Sequence, residues 1–318
     1  MRPSLVLPPN RDERWDLAKQ IGVETAVVHT LEIGDRSRPW RYTELLDLVQ
    51  NFREYGIEVG AIEGCVPISD TTRLGREGRD EEIERFKQYL RNLGELNVPV
   101  VAYDWMAGTR WARTSTAVLS RGDSLTTAYD DQLMTSAPPQ ELAPVAAEEL
   151  WEGLKHFLNE VVPIAEEAGV KLALHPDDPP IDRLRGVDRI VTSPDNYGRI
   201  MEIYESEYNG ITFCQGNFAA MGADIPAAIK RFDDRINFVH FRDVHGTADR
   251  FVETWHDDGP TDMHACIEAY REIGFEGPVR PDHVPTMAGE TNSNPMYMTL
   301  GRLFAIGYLK GLLESTDG

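Results

Sequence analysis

Short apolar runs alternate along this chain with longer stretches in which apolar residues recur at helical spacing. The runs at residues 4–7, 25–29, 58–63, 98–103, 171–174, 211–214, 237–241 and 279–282 read as strands. Most lack a polar face, as strands of a buried parallel sheet do. Between them, residues 13–21, 42–55, 81–93, 145–168, 194–206, 225–231, 262–273 and 297–314 read as amphipathic helices. This alternation predicts a parallel α/β fold. Eight strands is the count that closes a (β/α)8 TIM barrel, so the expected organisation is one barrel domain over residues 1–318. The rival, a doubly wound open sheet, calls for an early G-x-G-x-x-G phosphate turn, and the chain has none. One connection, residues 104–144, is unusually long and holds two tryptophans and three arginines. Loops of that length usually have a function. The two readings are a lid over the active-site face and an unstructured insertion.

Four of the predicted strands end in side chains able to bind a metal. Leu172-Ala173-Leu174 runs into His175, Ile211-Thr212-Phe213 into Cys214, Asn237-Phe238-Val239 into His240, and Val279-Arg280-Pro281 into Asp282. Adjacent strands lie about 5 Å apart, so the tips of strands five to eight can converge on one ion. A lone buried His or Cys is usually a packed core residue. Four at equivalent strand ends are not explained that way. The His/Cys/His/Asp set suits a divalent transition metal such as Mn, Fe, Co or Zn better than Mg or Ca. Structural zinc sites usually recruit close C-x-x-C pairs, which are absent.

Other polar residues surround these tips. Asp177 and Asp178 suit either hydrogen bonds to a ligand histidine or a turn cap, and Asp177 also counts among the substrate-binding candidates. Arg242 and Arg280 flank proposed ligands and could pair a substrate carboxylate; the alternative is an ion pair with Asp243 or Asp282. His256 sits in a polar loop after the seventh strand, facing substrate or metal, or simply leading into a helix. His283, next to Asp282, is a candidate general base. Tyr297, at the start of the last predicted helix, is a candidate proton donor or a packing residue.

Composition narrows the function classes. Apolar residues make up 41% of the chain, ample for a core, and no run of eighteen spans a membrane. The N-terminus lacks a secretory signal. Three scattered cysteines, Cys65, Cys214 and Cys266, do not make a disulfide framework, so a reduced, cytoplasmic protein is expected. A net charge of −21 disfavours nucleic acid as a partner. A small molecule is the expected ligand, with a homo-oligomer left open.

Several segments carry a resemblance. Leu174-His175-Pro176-Asp177-Asp178-Pro179-Pro180, Phe213-Cys214-Gln215-Gly216-Asn217, His240-Phe241-Arg242-Asp243, Arg280-Pro281-Asp282-His283 and Asn294-Pro295-Met296-Tyr297 resemble the motifs of the mannonate dehydratases. Trp111-Ala112-Arg113-Thr114 adds to the likeness. That family is a branch of the xylose-isomerase-like TIM barrels. The resemblance implies dehydration of D-mannonate to 2-keto-3-deoxy-D-gluconate with a divalent metal, Mn²⁺ first and Fe²⁺ or Co²⁺ as alternatives. It implies His175, Cys214, His240 and Asp282 as ligands and His283 and Tyr297 as the acid–base pair. Two departures lie where substrate would be enclosed. The family's Asn-Pro-Gly-Tyr is here Asn294-Pro295-Met296-Tyr297, and Val284-Pro285 follows His283 in place of Gly-His.

A sugar-acid dehydratase is therefore the expected function. The rivals are a metal-dependent isomerase or epimerase on the same barrel, a phosphoesterase-type nuclease, which the acidic charge disfavours, and a non-catalytic sugar-acid sensor.

Overall fold

In the computed structural model, which describes residues 1–29, 41–64 and 66–316, eight parallel strands close into a barrel. They are β1 (Arg2–Leu7), β2 (Thr25–His29), β3 (Glu58–Glu63), β4 (Val100–Asp104), β5 (Lys171–His175), β6 (Asn209–Cys214), β7 (Ile236–Phe241) and β8 (Pro278–Pro281). Each strand pairs with its sequence neighbours, and β8 returns to β1. The outer ring is α1 (Glu13–Gln20), α2 (Tyr42–Glu54), α3 (Arg79–Glu95), α4 (Ala147–Ala168), α5 (Pro194–Ile203), α6 (Ile225–Phe232), α7 (Met263–Glu272) and α8 (Thr299–Ser315). All eight strands and all eight helices expected from the pattern are found, displaced at their ends by a few residues.

Local chemistry sets several of these ends. The side chains of Asp12, Ser193, Asp224 and Asp262 accept from the backbone N–H groups of Arg14, Asn196, Ala227 and Ala265, capping α1, α5, α6 and α7. Pro194 and Pro226 stand in the first turns, where a missing N–H is harmless. Gly169, at φ +67°, ends α4 in the left-handed conformation and turns the chain into β5. The last helix starts two residues later than expected, leaving Tyr297 in the preceding turn.

The 104–144 connection has strands of its own. Ser115–Leu119 and Leu125–Asp130 join Arg250–Glu253 and Val244–Thr247 in a four-stranded antiparallel sheet. The connections after β4 and β7 thus share one sheet. Its strands are partly exposed, and the pairing of Leu125–Asp130 with Arg250–Glu253 joins segments more than a hundred residues apart, so a search for buried runs passes over them.

The barrel interior follows the two-residue period of its strands. Outward positions such as Val28, Ile62, Tyr103, Leu174, Phe213 and Val239 pack in the main core, against the helices. Inward positions Val27, Ala61, Ala102, Ala173 and Phe238 form a separate, compact apolar plug, with Val6 packed against it.

Candidate functional site

The next inward residue on each of these strands is polar. Two residues beyond Val27, Ala61, Ala102, Ala173, Thr212 and Phe238 stand His29, Glu63, Asp104, His175, Cys214 and His240. Strand register aligns them: Asp104 lies beside His175, Cys214 beside His240, and His240 beside Arg280. One layer of side chains thus carries nearly all the chemistry at the C-terminal end of the barrel, where TIM-barrel sites lie.

His175, Cys214 and His240 are buried, with one ligand atom of each within 4.8 Å of the others. Asp282 joins them through Oδ2, 3.6 Å from His240 Nδ1 and 3.9 Å from Cys214 Sγ. Hydrogen bonds set both imidazoles for coordination. His175 Nδ1–H donates to the Pro176 carbonyl at 2.7 Å, which leaves the Nε2 lone pair free. His240 Nε2–H donates to Glu63 at 2.9 Å, which leaves Nδ1 as the free atom. That Nδ1 is buried without a hydrogen-bond partner among the described residues. A carboxylate holding the far nitrogen of a ligand histidine is the usual outer support of a metal site. The orphaned Nδ1, the oriented His175 and the imidazole–thiol–carboxylate donor set together fit a divalent transition metal.

Charge balance agrees. Burial and the neighbouring His240 push the His175 pKa down to about 3. His240 is opposed by burial and by Arg280, yet Glu63 and Asp282 outweigh both and hold its pKa up at about 10. A metal held by His240 would have to displace its proton. Against the penalty of burial, Arg280 keeps Glu63 and Asp282 ionised, both well below the usual carboxylate range.

Asp282 is held on its other oxygen. Arg280 donates to Oδ1 at 2.7 Å and reaches Glu63 at 2.6 Å, clamping both carboxylates. His283 follows at φ +46°, a backbone conformation rare outside glycine and common at functional sites. Its Nδ1 lies 2.9 Å from Glu253 Oε1 and 3.2 Å from Arg113. The Glu253 carboxylate accepts from Nδ1–H, which turns Nε2 away from Glu253. The Tyr297 ring stands edge-on to His283, with centroids 5.6 Å apart. Burial pushes its phenol pKa up, so the hydroxyl stays protonated at neutral pH. The turn carrying Tyr297 bonds back to this strand end, Val284 N–H donating to Met296 O at 2.9 Å. Met296 has φ +74°. This is the position where the resembling motif has glycine, the residue that adopts such a φ without strain.

Of these groups Glu63, His175, His240, Arg280, Asp282, His283, Met296 and Tyr297 line one cavity of about 480 Å³, together with His29, Asp104, Trp111, Asn294 and Arg302, while Cys214, Arg113 and Glu253 do not line it. Of the four residues expected to bind substrate, only Arg280 lines it. Arg242 lies behind the wall, donating to Asp178, Glu253, Asp282, Asn217 and Cys214 Sγ. Its carboxylate partners include Asp282, as the ion-pair alternative anticipated, but not Asp243. Asp177 accepts from Val191 N–H at 2.8 Å and pairs with Arg189. His256 donates to the Phe241 carbonyl at 2.8 Å, and burial drops its pKa to about 4. All three are committed to holding strand ends and loops. Neither Asp177 nor Asp178 holds His175; a backbone carbonyl does. Asp178 instead takes both Arg113 and Arg242.

Sequence reading missed His29, Glu63, Asp104, Glu253 and Arg302. For the first three the signal was present, since β2, β3 and β4 also end in titratable residues. Glu253 reaches the site on the added sheet and Arg302 on the last helix, and no pattern along the chain announces either. Cys65 lies outside the described residues. Cys266 is a buried free thiol, and burial raises its pKa to about 12.

Comparison with known proteins adds independent findings. The family model of D-mannonate dehydratase (UxuA) matches residues 14–146 and 140–318. A mannonate dehydratase of Halalkalibacterium halodurans is 33% identical over 338 aligned positions, covering 97% of both chains. The crystal structure of mannonate dehydratase from Streptococcus suis serotype 2 superposes with a TM-score of 0.91 at 31% identity, over 99% of this chain and 93% of that one. A xylose isomerase domain protein from Planctomyces limnophilus, at 15% identity and TM-score 0.62, covers 99% of this chain and 96% of its own and shares the fold.

Proposed function

The chain belongs to the D-mannonate dehydratase family, and on that premise we propose that it removes water from D-mannonate to give 2-keto-3-deoxy-D-gluconate in the cavity above the barrel. As a member of that family it is a metal-dependent hydro-lyase. The observation that carries the reading is the His283–Tyr297 pair, ring centroids 5.6 Å apart, in the same cavity as His175, His240 and Asp282.

His175, Cys214, His240 and Asp282 would hold the ion, with Mn²⁺ first and Fe²⁺ or Co²⁺ as alternatives for this donor set. When bound, a divalent ion stabilises negative charge developing on the substrate's carboxylate. The remaining work falls to side chains. His283 Nε2 takes the proton from the carbon next to the carboxylate, and Glu253 and Asp282 on either side of the ring stabilise the imidazolium. The electron pair left on that carbon forms a double bond to its neighbour. The neighbour's C–O bond breaks, Tyr297 Oη gives its proton to the departing hydroxyl, and water leaves. The enol product ketonises. Arg280 keeps Asp282 oriented and adds positive charge. Trp111 brings the 104–144 segment to the rim beside His175, ring centroids 5.9 Å apart, which supports the lid reading of that segment over an unstructured insertion.

The substrate we propose is a small sugar acid, and the charge of −21 argues against nucleic acid. No helix among the described residues is long and apolar enough to cross a membrane. Two buried free thiols suit a reducing cytoplasm. The test is the protein reconstituted with Mn²⁺ and offered a panel of aldonic acids, with 2-keto-3-deoxy acids as the readout. D-mannonate should be the best substrate. Interconversion of neutral ketoses without dehydration of any aldonate would replace this reading with an isomerase.

A further inference from the structure

The buried arginines of this protein differ in one respect. Arg73, Arg189, Arg242 and Arg280 each lie within 3.3 Å of at least one carboxylate oxygen. Arg302, also buried at 8% exposure, has no carboxylate partner among the described residues. It extends from the first turn of α8 into the cavity, where Nη1 donates to the Val6 carbonyl at 3.0 Å. Its guanidinium carbon stands 5.3 Å from the centre of the Tyr297 ring. No described residue accepts from Nε or Nη2. Those two atoms form one edge of the guanidinium, the edge that grips a carboxylate with two parallel hydrogen bonds.

A buried cation without a counter-charge is costly, and proteins usually pair it. Burial lowers the Arg302 pKa to about 10, the reverse of the carboxylate-flanked Arg280. The other arginines facing this cavity are already paired, Arg14 with Asp12 and Arg280 with Glu63 and Asp282. A net positive corner is thus left in a strongly acidic protein, beside the proton donor.

We propose that Arg302 is the anchor for the carboxylate of the sugar-acid substrate, gripping it through the Nε–Nη2 edge. This rests on the dehydratase reading for the substrate's class. It replaces Arg242 and Arg280 in that role, because their donors are engaged by protein carboxylates. Arg302 stands beside the Tyr297 ring, which in turn stands beside His283, so a carboxylate held there keeps the reacting carbons within reach of both groups.

The test is Arg302→Gln and Arg302→Lys in the Mn²⁺-loaded protein. D-mannonate binding is measured by calorimetry, with the uncharged D-mannonamide as control, together with kcat and KM. Arg302→Gln should weaken D-mannonate binding and raise KM by about 10- to 100-fold, as expected for loss of charge-assisted hydrogen bonds. Its affinity for D-mannonamide and its metal content should stay near wild type. Arg302→Lys should recover part of the loss through charge alone. Should Arg302→Gln fail to fold, the metal-free wild type decides: there D-mannonate must raise the melting temperature more than equimolar D-mannonamide. Equal shifts, or an Arg302→Gln variant with wild-type KM and affinity, overturn the anchor while leaving the dehydratase reading standing. A wild type that binds aldonates through Arg302 without dehydrating them sinks the dehydratase reading alone.

Discussion

Two layers of the barrel interior, one inward position apart on the same strands, obey opposite rules. The lower layer is Val27, Ala61, Ala102, Ala173 and Phe238, small or apolar and without a charge. The upper is His29, Glu63, Asp104, His175, Cys214, His240 and Arg280, with hardly an apolar atom that is not part of a polar side chain. They are about 7 Å apart, two strand residues. The lower layer stabilises the fold by removing apolar surface from water. The upper layer has to overcome the desolvation of every charge it contains, and buried ion pairs on balance add little stability. It persists because each charge has partners: Glu63 takes His29, His240 and Arg280; Asp282 takes Arg280 and lies beside His240 and Arg242; Glu253 takes Arg113, Arg242 and His283. The difference teaches that the plug holds the barrel closed while the layer above holds atoms in place for chemistry.

The sharpest way to separate the two is a change that leaves stability alone. His283→Asn should keep the fold and the metal, read by circular dichroism and metal analysis. It should lose about 10²–10⁴-fold in turnover, the usual contribution of a general base. Retention of near-wild-type turnover would remove His283 from the reaction.

The comparison should break at Arg242, a charged residue whose loss is structural. Arg242→Met strips a partner from Asp178, Glu253 and Asp282 at once. It should destabilise the protein by about 3–5 kcal/mol, since one side of a buried pair is left uncompensated. A urea midpoint unchanged from wild type would mean that water or rearranged partners already satisfy those carboxylates.

Smaller effects sharpen the boundary. Cys214→Ala should weaken metal binding by at least about tenfold, as losses around a metal commonly cost about 10–100-fold, while the melting temperature of the metal-free protein stays close to wild type. Chelator competition measures the first and calorimetry the second. Val27→Ala, one position below His29, should do the converse. Removing two buried carbons should cost about 1.6 kcal/mol plus a share for the cavity left behind, with turnover per folded molecule unchanged. If Val27→Ala changed metal affinity as much as Cys214→Ala, the two layers would not be separate in function.

The sites of these changes were unequally visible in the chain. His175, Cys214, His240 and Asp282 stand at the ends of apolar runs, and a run that stops in a metal-competent side chain can be read without knowing what lies beside it. His29, Glu63 and Asp104 obey the same rule, yet each taken alone resembles a polar residue closing a strand. Only the register that sets Asp104 beside His175, and the bond from His240 to Glu63, makes them part of the site. Arg242 carried two readings of equal weight, substrate or ion pair. Which applies depends on whether carboxylates surround it, and Asp178 and Glu253 come from other loops.

Sequence alone determined the barrel, its strand count and the strand tips that carry chemistry, because hydrophobic period and chain alternation are local properties that burial acts on directly. It determined the family too, since the motifs around His175 and Asp282 are contiguous. Only the tertiary structure decided which ring nitrogens of His175 and His240 are engaged, which arginines are already paired with carboxylates, and that Arg302 has no carboxylate partner among the described residues. Those facts depend on distances between groups far apart in the chain. A guanidinium or imidazole has the same intrinsic chemistry wherever it stands, and the partners that the fold brings to it determine what it can still bind.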